Sequence, residues 1–304
     1  MTEATAAATA TAAAAAPGRR LVDAHAHVWN RARTPIDWID DTLPEIDRDF
    51  SVSELEQTAD DAARSHGVTI DGFVLVQALN DHAETIDLLA NAHGPVVGWV
   101  DLDTGDTAER LAALKGAPGG DRLVGIRHLA HIDPDPEWLL RPAVSRGLDA
   151  IADAGLGFDL VVRPWQLPLA AQVADAHPQL RLVLDHLGQP PLSTDADAAA
   201  DWERDLGALA ERPNVVAKVS GIALRGADAS RAHLDRVAGT ALEAFGATRL
   251  LFGSDFPLVR LADGYEDWLG QYLAWSADLS GDEQRAIDSG TAIVAYGPAA
   301  LRRS

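Results

Sequence analysis

Two histidines separated by one residue, His25 and His27, lie at the end of a short apolar segment. If that segment is a β-strand, side chains two residues apart point to the same face, so both imidazoles would meet at one place. Paired imidazoles can bind a divalent metal ion or polarise a carbonyl group. A pair of hydrogen-bonded core histidines is the competing interpretation, and the position at a strand end favours the chemical one.

Asp255 and His186 occupy the same kind of position farther along the chain. Asp255 ends the segment Leu-Leu-Phe-Gly-Ser-Asp before a Phe-Pro pair, and His186 follows Leu-Val-Leu-Asp. An aspartate there could also cap a helix or close a turn. Beside imidazoles, a carboxylate can instead take a proton from water while the histidines or a cation polarise a carbonyl group. The four residues therefore predict a hydrolytic site, whereas Ser220 lacks the Gly-x-Ser-x-Gly motif of a serine nucleophile.

The elements that must position these residues are short segments, each apolar on both faces as in a strand buried on both sides. They cover residues 21–27, 72–78, 96–102, 123–129, 157–163, 180–187, 214–221 and 249–255. Strand alternating with helix eight times predicts a single-domain α/β fold, the (β/α)8 TIM barrel. An open doubly wound sheet would usually carry a glycine-rich turn after its first strand, where this chain has histidines.

Helical patterns separate the predicted strands. Ser53 and Glu56 form a capping box at the start of a helix that ends near Gly67, and Asp81 begins a second helix that ends near Gly94. Further helices are predicted at 106–115, 136–154, 167–176, 198–211, 229–245 and 282–301.

Polar side chains end nearly every predicted strand, and the carboxyl ends of barrel strands form the active site in this fold. Besides the histidines and Asp255 they are Gln77, Asp101, Arg127, His128, Arg163, Asp185, Lys218, Ser220 and Ser254. Asp23 shares the face of His25 and His27 and could orient one of them. The long segment 28–50 contains Trp29 and Trp38, and we expect it to cover the substrate.

The composition and the net charge limit the partners and the location that we expect for the protein. The 304 residues carry a net charge of −21, which argues against nucleic-acid and anionic-membrane partners, and they include no cysteine. The chain contains no run of about 18 apolar residues, so no transmembrane helix is expected. Residues 1–18 are rich in Ala and Thr and are expected to form a disordered tail before the barrel at 19–304. We expect a cytoplasmic protein that acts on a small-molecule substrate. A homodimer is the assembly considered, because dimers are the commonest oligomers.

The motifs at the strand ends, taken in order, resemble the amidohydrolase superfamily and in particular its amidohydrolase-related (family 2) branch. The matching segments span 21–300 and are Val-Asp-Ala-His-Ala-His-Val-Trp at 22–29, Phe-Val-Leu-Val-Gln-Ala at 73–78, Val-Gly-Trp-Val-Asp-Leu at 97–102, Gly-Ile-Arg-His at 125–128, Phe-Asp-Leu-Val-Val-Arg-Pro at 158–164, Leu-Val-Leu-Asp-His-Leu-Gly-Gln-Pro at 182–190, Ala-Lys-Val-Ser-Gly at 217–221 and Gly-Ser-Asp-Phe-Pro at 253–257. The His-x-His motif alone is weak, and the ordered set is specific. Within the branch, the pattern most resembles sugar-lactone hydrolases of the L-fucono- and L-rhamnono-lactonase type.

The resemblance implies a (β/α)8 fold and the hydrolytic opening of a cyclic ester. Asp255 would activate the water, while His25, His27 and His186 would line the carbonyl side. Metal-using amidohydrolases generally carry a histidine on strand five, where this chain has Val-Arg-Pro, so a two-metal site is not expected. We therefore expect at most one divalent ion, held by His25, His27 and Asp255 with or without His186. Zn²⁺ fits these nitrogen and oxygen ligands. In this branch the metal can be dispensable.

The resemblance also implies substrate contacts. Gln77, Arg127 and Arg163 would meet hydroxyl or carboxylate groups of the substrate, and Trp29 in the covering segment is a fourth predicted contact. Stabilising ion pairs around the barrel mouth are the alternative role for the charged residues among them.

Two other functions stay open. A decarboxylase of the same branch, acting on an aromatic or unsaturated acid, would use the same His-x-His motif and Asp255. A non-catalytic binding barrel is suggested by the missing strand-five histidine, although a pure binder needs no water-activating residues. The Arg-Pro after strand five and the Asp-His-Leu-Gly-Gln-Pro segment favour the lactonase.

Overall fold

The computed structural model describes residues 18–192 and 195–298. The predicted N-terminal tail, apart from Gly18, lies outside the described residues, as do the last residues of the helix predicted at 282–301. Within the described ranges the chain forms one (β/α)8 barrel, as predicted. No helix in those ranges is long and apolar enough to cross a membrane.

Eight parallel strands in sequence order form the wall of the barrel. They are β1 (Arg20–Ala26), β2 (Thr69–Val76), β3 (Val96–Gly98), β4 (Leu123–His128), β5 (Gly157–Leu160), β6 (Leu182–Leu184), β7 (Val215–Val219) and β8 (Leu250–Phe252). Every predicted segment overlaps one of these strands, but each strand ends one to four residues before its segment does. Many of the polar residues at the segment ends therefore lie on the loops at the carboxyl face of the barrel.

The barrel closes between β1 and the segment that follows β8. The Asp255 amide donates to the His25 carbonyl oxygen at 2.8 Å, and the His27 amide donates to the Phe256 carbonyl oxygen at 2.6 Å. Gly253 permits this close approach, because a Cβ at that position would lie 2.8 Å from the Cβ of His25. The closing seam thus contains three of the predicted site residues.

Helices on the outside of the barrel follow the strands. Those in the described residues are α1 (Val52–His66), α2 (His82–Asn91), α3 (Thr107–Gly116), α4 (Pro142–Asp153), α5 (Leu167–Ala176), α6 (Ala196–Ala210), α7 (Ala227–Phe245), α8 (Tyr265–Trp275), α9 (Gly281–Arg285) and α10 (Thr291–Tyr296).

Three helical predictions need correction. The residue that caps α1 is Ser51, whose side chain accepts from the Glu54 amide, so the predicted capping box begins two residues too late. Helix α8 was not predicted, although its buried residues recur at helical spacing. The predicted C-terminal helix is divided into α9 and α10 by a π-helical turn at Ala286–Gly290.

Apolar side chains fill much of the barrel interior. The cluster comprises Val22, Ala24, Val74, Val76, Val97, Val183 and Leu251, with Ala292, Ala295 and Tyr296 of α10 packed against it. Branched residues of this kind are typical of the packed interior of a (β/α)8 barrel. Because this interior is solid, the space for a ligand lies at the carboxyl face.

Candidate active site

Three imidazoles surround one carboxylate oxygen at the carboxyl face of the barrel. Asp255 Oδ1 lies 3.5 Å from His27 Nε2, 3.7 Å from His25 Nε2 and 3.9 Å from His186 Nε2. All four residues are buried. The structure therefore brings together the residues that the sequence singles out, although β6 lies away from the seam between β1 and β8.

A left-handed turn after β6 carries His186 into this group. His186, Leu187, Gly188 and Gln189 have φ values of 54°, 51°, 71° and 57°, and the Gln189 amide donates to the His186 carbonyl oxygen at 2.9 Å. Each non-glycine residue in this conformation costs roughly 1–2 kcal/mol, and such runs are rare outside functional sites. Gly221 leaves room for the imidazole, because a Cβ there would lie 2.3 Å from His186 Nδ1.

The backbone fixes the tautomer of His27. Its Nδ1 lies 2.7 Å from the Val76 carbonyl oxygen, which can only accept, so Nδ1 carries a proton. Burial lowers the pKa of His27 and lowers the pKa of His25 well below its ordinary value. Both rings are therefore neutral at neutral pH, and His27 Nε2 presents a lone pair to the site.

A buried ionic network lies behind His25. Lys218 Nζ lies 2.6 Å from Asp159 Oδ2 and 2.9 Å from Asp185 Oδ1, and the Tyr296 hydroxyl donates to Asp159 at 2.8 Å. His25 Nδ1 lies 3.0 Å from Lys218 Nζ and 3.2 Å from Asp185 Oδ1. Although burial alone would raise the pKa of Asp185, the charges of Lys218 and Arg127 and a hydrogen bond with His25 hold it well below its ordinary value. The network fixes the orientation of His25 from behind.

The residues at the seam fit a single metal ion. His25, His27 and Asp255 offer ligand atoms that lie within 4.8 Å of one another. Asp255 Oδ1 is buried and has no hydrogen-bond partner in the described part of the chain. An unpaired buried carboxylate oxygen is costly, so a cation among these atoms would stabilise it, and two nitrogens with one oxygen suit Zn²⁺. A second group of His25, Asp185 and His186 has the same spacing, but Asp185 is already paired with Lys218.

A cavity of about 350 Å³ opens above these residues. His27, His186 and Asp255 form part of its wall, and the other residues that line it are Trp38, Ala78, Arg127, Leu129, His131, Ile132, Val161, Gln189, Gly221 and Leu258. The volume suits a small ring compound.

The four predicted substrate contacts lie in different surroundings. Arg127 lines the cavity, but it donates to Asp185 at 2.8 Å and to the Gln77 carbonyl oxygen. Gln77 is fully buried and donates to the Arg127 carbonyl oxygen at 3.1 Å. Arg163 is exposed and is not among the residues that line the cavity, but it donates to Gln189 Oε1 at 3.1 Å. Trp29 is buried and donates to the Arg48 carbonyl oxygen at 2.7 Å.

Three cavity-lining residues with hydrogen-bonding side chains, Trp38, Gln189 and His131, received no role from the sequence as substrate contacts. Trp38 packs edge to face against Trp29, with ring centroids 6.0 Å apart, so the covering segment presents Trp38 and not Trp29 to the cavity. Gln189 lies in the Asp-His-Leu-Gly-Gln-Pro motif, and this motif is the feature of the sequence that points to Gln189 as a site residue. His131 follows β4 on a loop, and burial lowers its pKa to about 4, so it is neutral at neutral pH.

Asp23 does not contact an imidazole. Its Oδ1 accepts from the Ser254 amide at 2.8 Å and from the His25 amide at 3.2 Å, and its Oδ2 accepts from the Tyr265 hydroxyl at 3.0 Å. It therefore joins the backbones of the two seam segments. The expectation that Asp23 orients a histidine ring is wrong.

Comparison with known proteins places this geometry in a family. A family model described as Amidohydrolase matches residues 22–297. An L-fucono-1,5-lactonase from Burkholderia ambifaria is 34% identical over 84% of this chain and 86% of that protein, and one from Burkholderia multivorans is 32% identical over 92% and 96%. A crystal structure of a Burkholderia multivorans amidohydrolase with bound zinc is 31% identical, with a TM-score of 0.79 over 91% of this chain and 98% of that one. The chain belongs to the amidohydrolase family, as its strand-end motifs predict.

Proposed function

We propose that this enzyme hydrolyses the ring ester of a sugar-acid lactone, giving the open hydroxy acid. The observation that carries the proposal is the Asp255 carboxylate oxygen, which lies among three imidazole nitrogens at the wall of a ring-sized cavity. Relatives at 34% and 32% identity are L-fucono-1,5-lactonases, which supports the same reaction class.

Asp255 is the base in this proposal. Its Oδ1 has no hydrogen-bond partner among the described residues, so it is available to accept a proton from a water molecule in the cavity. The oxygen of that water bonds to the lactone carbonyl carbon, and the carbonyl oxygen takes the negative charge. When the bond from that carbon to the ring oxygen breaks, protonated Asp255 returns the proton to the leaving alkoxide. Water is consumed and the carboxylate is regenerated.

His186 is suited to stabilise the charged oxygen. Its Nδ1 lies 2.9 Å from Ser220 Oγ. With the Ser220 hydroxyl as donor, the imidazole carries its proton on Nε2, which points towards Asp255 and the cavity. A fixed N–H donor at that position would stabilise an oxyanion more than the neutral carbonyl group.

We further propose that His25, His27 and Asp255 hold one Zn²⁺ ion. When bound, it would polarise the carbonyl oxygen as a Lewis acid and promote deprotonation of water. The zinc in the related Burkholderia multivorans structure supports a metal of this kind. The Val76 carbonyl oxygen keeps the lone pair of His27 Nε2 available to the ion.

The cavity favours a neutral substrate over an aromatic acid. Arg127 is the one Arg or Lys side chain among the described residues that line it, and Asp185 neutralises that charge at 2.8 Å. His131 is neutral at neutral pH. Apart from the proposed Zn²⁺, a carboxylate buried in the cavity would find no unpaired cation among the described side chains that line it, and this observation favours the lactone over the substrate of a decarboxylase.

A panel of aldonolactones, followed by proton release with a pH indicator, tests the proposal. We expect turnover of at least one sugar lactone, and a loss of roughly 10²- to 10⁴-fold in Asp255→Asn, because the amide cannot accept the proton. The denaturation midpoint of the variant shows whether the fold is retained. An aromatic acid that releases CO₂ in the absence of any lactone turnover would favour the decarboxylase, and a folded Asp255→Asn variant with most of its activity would refute the role of Asp255.

A further inference from the structure

The left-handed turn after β6 brings two side chains to the cavity. In a turn with a hydrogen bond from residue i+3 to residue i, those two residues lie on the same side. His186 and Gln189 are related in this way, and both line the cavity. The turn that brings His186 close to Asp255 therefore also brings Gln189 to the cavity. Its backbone is strained, and strain of this kind is typical of functional sites.

Arg163 fixes the orientation of the Gln189 side chain. Its Nη1 lies 3.1 Å from Gln189 Oε1, and a guanidinium group can only donate, so the carboxamide oxygen faces Arg163. The same guanidinium donates through Nε to the His131 carbonyl oxygen at 3.3 Å. Arg163 therefore links the loops after β4 and β6, and the NH₂ group of Gln189 points away from it.

Outside the group of His27, His186 and Asp255, two other polar side chains of the cavity already have hydrogen-bond partners. Arg127 is bonded to Asp185, and the indole of Trp38 donates to the Ala78 carbonyl oxygen at 3.1 Å. Much of the remaining wall consists of Leu129, Ile132, Val161 and Leu258, which offer no hydrogen bond. His131 and Gln189 are the polar side chains left to meet hydroxyl groups of a ring, and the carboxamide of Gln189 has its donor end unoccupied among the described residues.

We propose that Gln189 determines specificity by donating its side-chain NH₂ to a ring hydroxyl group of the lactone, with Arg163 as the residue that positions it. The inference rests on the proposed lactone hydrolysis and adds to it a group that distinguishes hydroxylated lactones from plain ones. Arg163 then acts through Gln189, not by direct contact with the substrate. The bond is made equally in the ground state and in the transition state, so its loss raises KM and leaves kcat nearly constant.

Two lactones and two variants test the inference. The probes are a hydroxylated aldono-1,5-lactone opened by the wild-type enzyme and δ-valerolactone, which has the same ring without hydroxyl groups. In Gln189→Met, we expect the ratio of kcat/KM for the hydroxylated lactone to that for δ-valerolactone to fall roughly tenfold, as the loss of one hydrogen bond predicts. Gln189→Leu provides the same test if the methionine variant does not fold.

Arg163 provides an independent measurement. Arg163→Met should lower the same ratio by a similar factor, and the double variant should lose little more than either single one, because both changes remove one hydrogen bond. Arg204→Met is the matched control, since Arg204 is an exposed arginine paired with Asp201 and Asp205 on helix α6. We expect Arg204→Met to keep the wild-type ratio.

The outcomes separate the inference from the function on which it rests. If the wild-type enzyme opens none of the aldonolactones in the panel, no hydroxylated probe exists, the proposed function fails and the inference falls with it. If the wild-type enzyme opens both, an unchanged ratio in folded Gln189→Met or an equal loss on both lactones overturns the inference alone. Additive losses in the double variant would overturn the positioning role of Arg163.

Discussion

Replacement of Gly221 by alanine should disable the site while leaving most of the fold intact. The new Cβ would lie 2.3 Å from Nδ1, 2.6 Å from Cγ and 2.9 Å from Cε1 of His186. Ordinary contacts between such atoms are about 3.5–4.0 Å, so the imidazole must move by about 1 Å or more. A displacement of that size in a catalytic group can cost about a hundredfold, and we expect kcat/KM for lactone opening to fall by about that factor.

A matched glycine separates this steric effect from backbone strain. Gly221 has φ +60°, and an alanine in that conformation costs roughly 1–2 kcal/mol wherever it occurs. Gly67, which ends α1, has φ +67°, and no atom lies within 4 Å of the position its Cβ would take. Gly67→Ala should therefore lose a similar free energy of unfolding and keep its activity.

Proton release gives the activity of both variants, and denaturant titration gives their free energies of unfolding. If folded Gly221→Ala stays within about threefold of Gly67→Ala in kcat/KM, then either His186 tolerates the displacement or it does not contribute to the reaction. Either result would refute the role of His186 proposed above.

Three further predictions concern charge and metal. Lys218→Met should lower the free energy of unfolding by about 3–5 kcal/mol in denaturant titration, because buried Asp159 loses its cation and buried Asp185 keeps only Arg127. A loss below about 1 kcal/mol would contradict this reasoning. Metal-free protein should bind one equivalent of Zn²⁺ per chain in a competition with a chromophoric chelator, and His27→Ala should weaken that binding; two equivalents would contradict the single site. Burial raises the pKa of Glu84 from 4.5 to about 7, so the folded state holds this proton more tightly than the unfolded state does. The resulting stability is present below pH 4.5 and is lost as the pH rises to about 7, by about 3 kcal/mol. Glu84→Gln should lack this component when unfolding is measured across that range, and an unchanged pH slope would contradict it.

The sequence predicts the barrel well because its signals are local. Each strand is a short segment apolar on both faces, and each polar residue at a segment end marks the carboxyl face without any knowledge of its neighbours. The grouping of His25, His27 and Asp255 follows from topology alone, since β1 and β8 must meet when eight strands close. Helix α8 was missed although its pattern is helical, because Gly270 and several aromatic residues lower its intrinsic propensity.

The roles of individual side chains are harder to predict from the sequence, because they depend on contacts between distant segments. Nothing in the local sequence shows that Arg127 is neutralised by Asp185, or that Arg163 reaches Gln189 on another loop. The sequence also does not predict the left-handed turn at His186, because neither His nor Leu favours that conformation. The surrounding packing imposes it. In the covering segment, Trp38 and not Trp29 lines the cavity, and the local sequence does not distinguish the two.

The seam between β1 and β8 has a consequence for how the enzyme is made. His25 lies near the beginning of the chain and Asp255 near its end, and their backbones are joined by a hydrogen bond of 2.8 Å. Synthesis proceeds from the amino terminus, so a nascent chain holds His25 and His27 long before it contains the Asp255 carboxylate that completes the group. With Asp255 as the proposed base, the growing polypeptide gains hydrolytic activity only when the segment after β8 has left the ribosome and docked against β1.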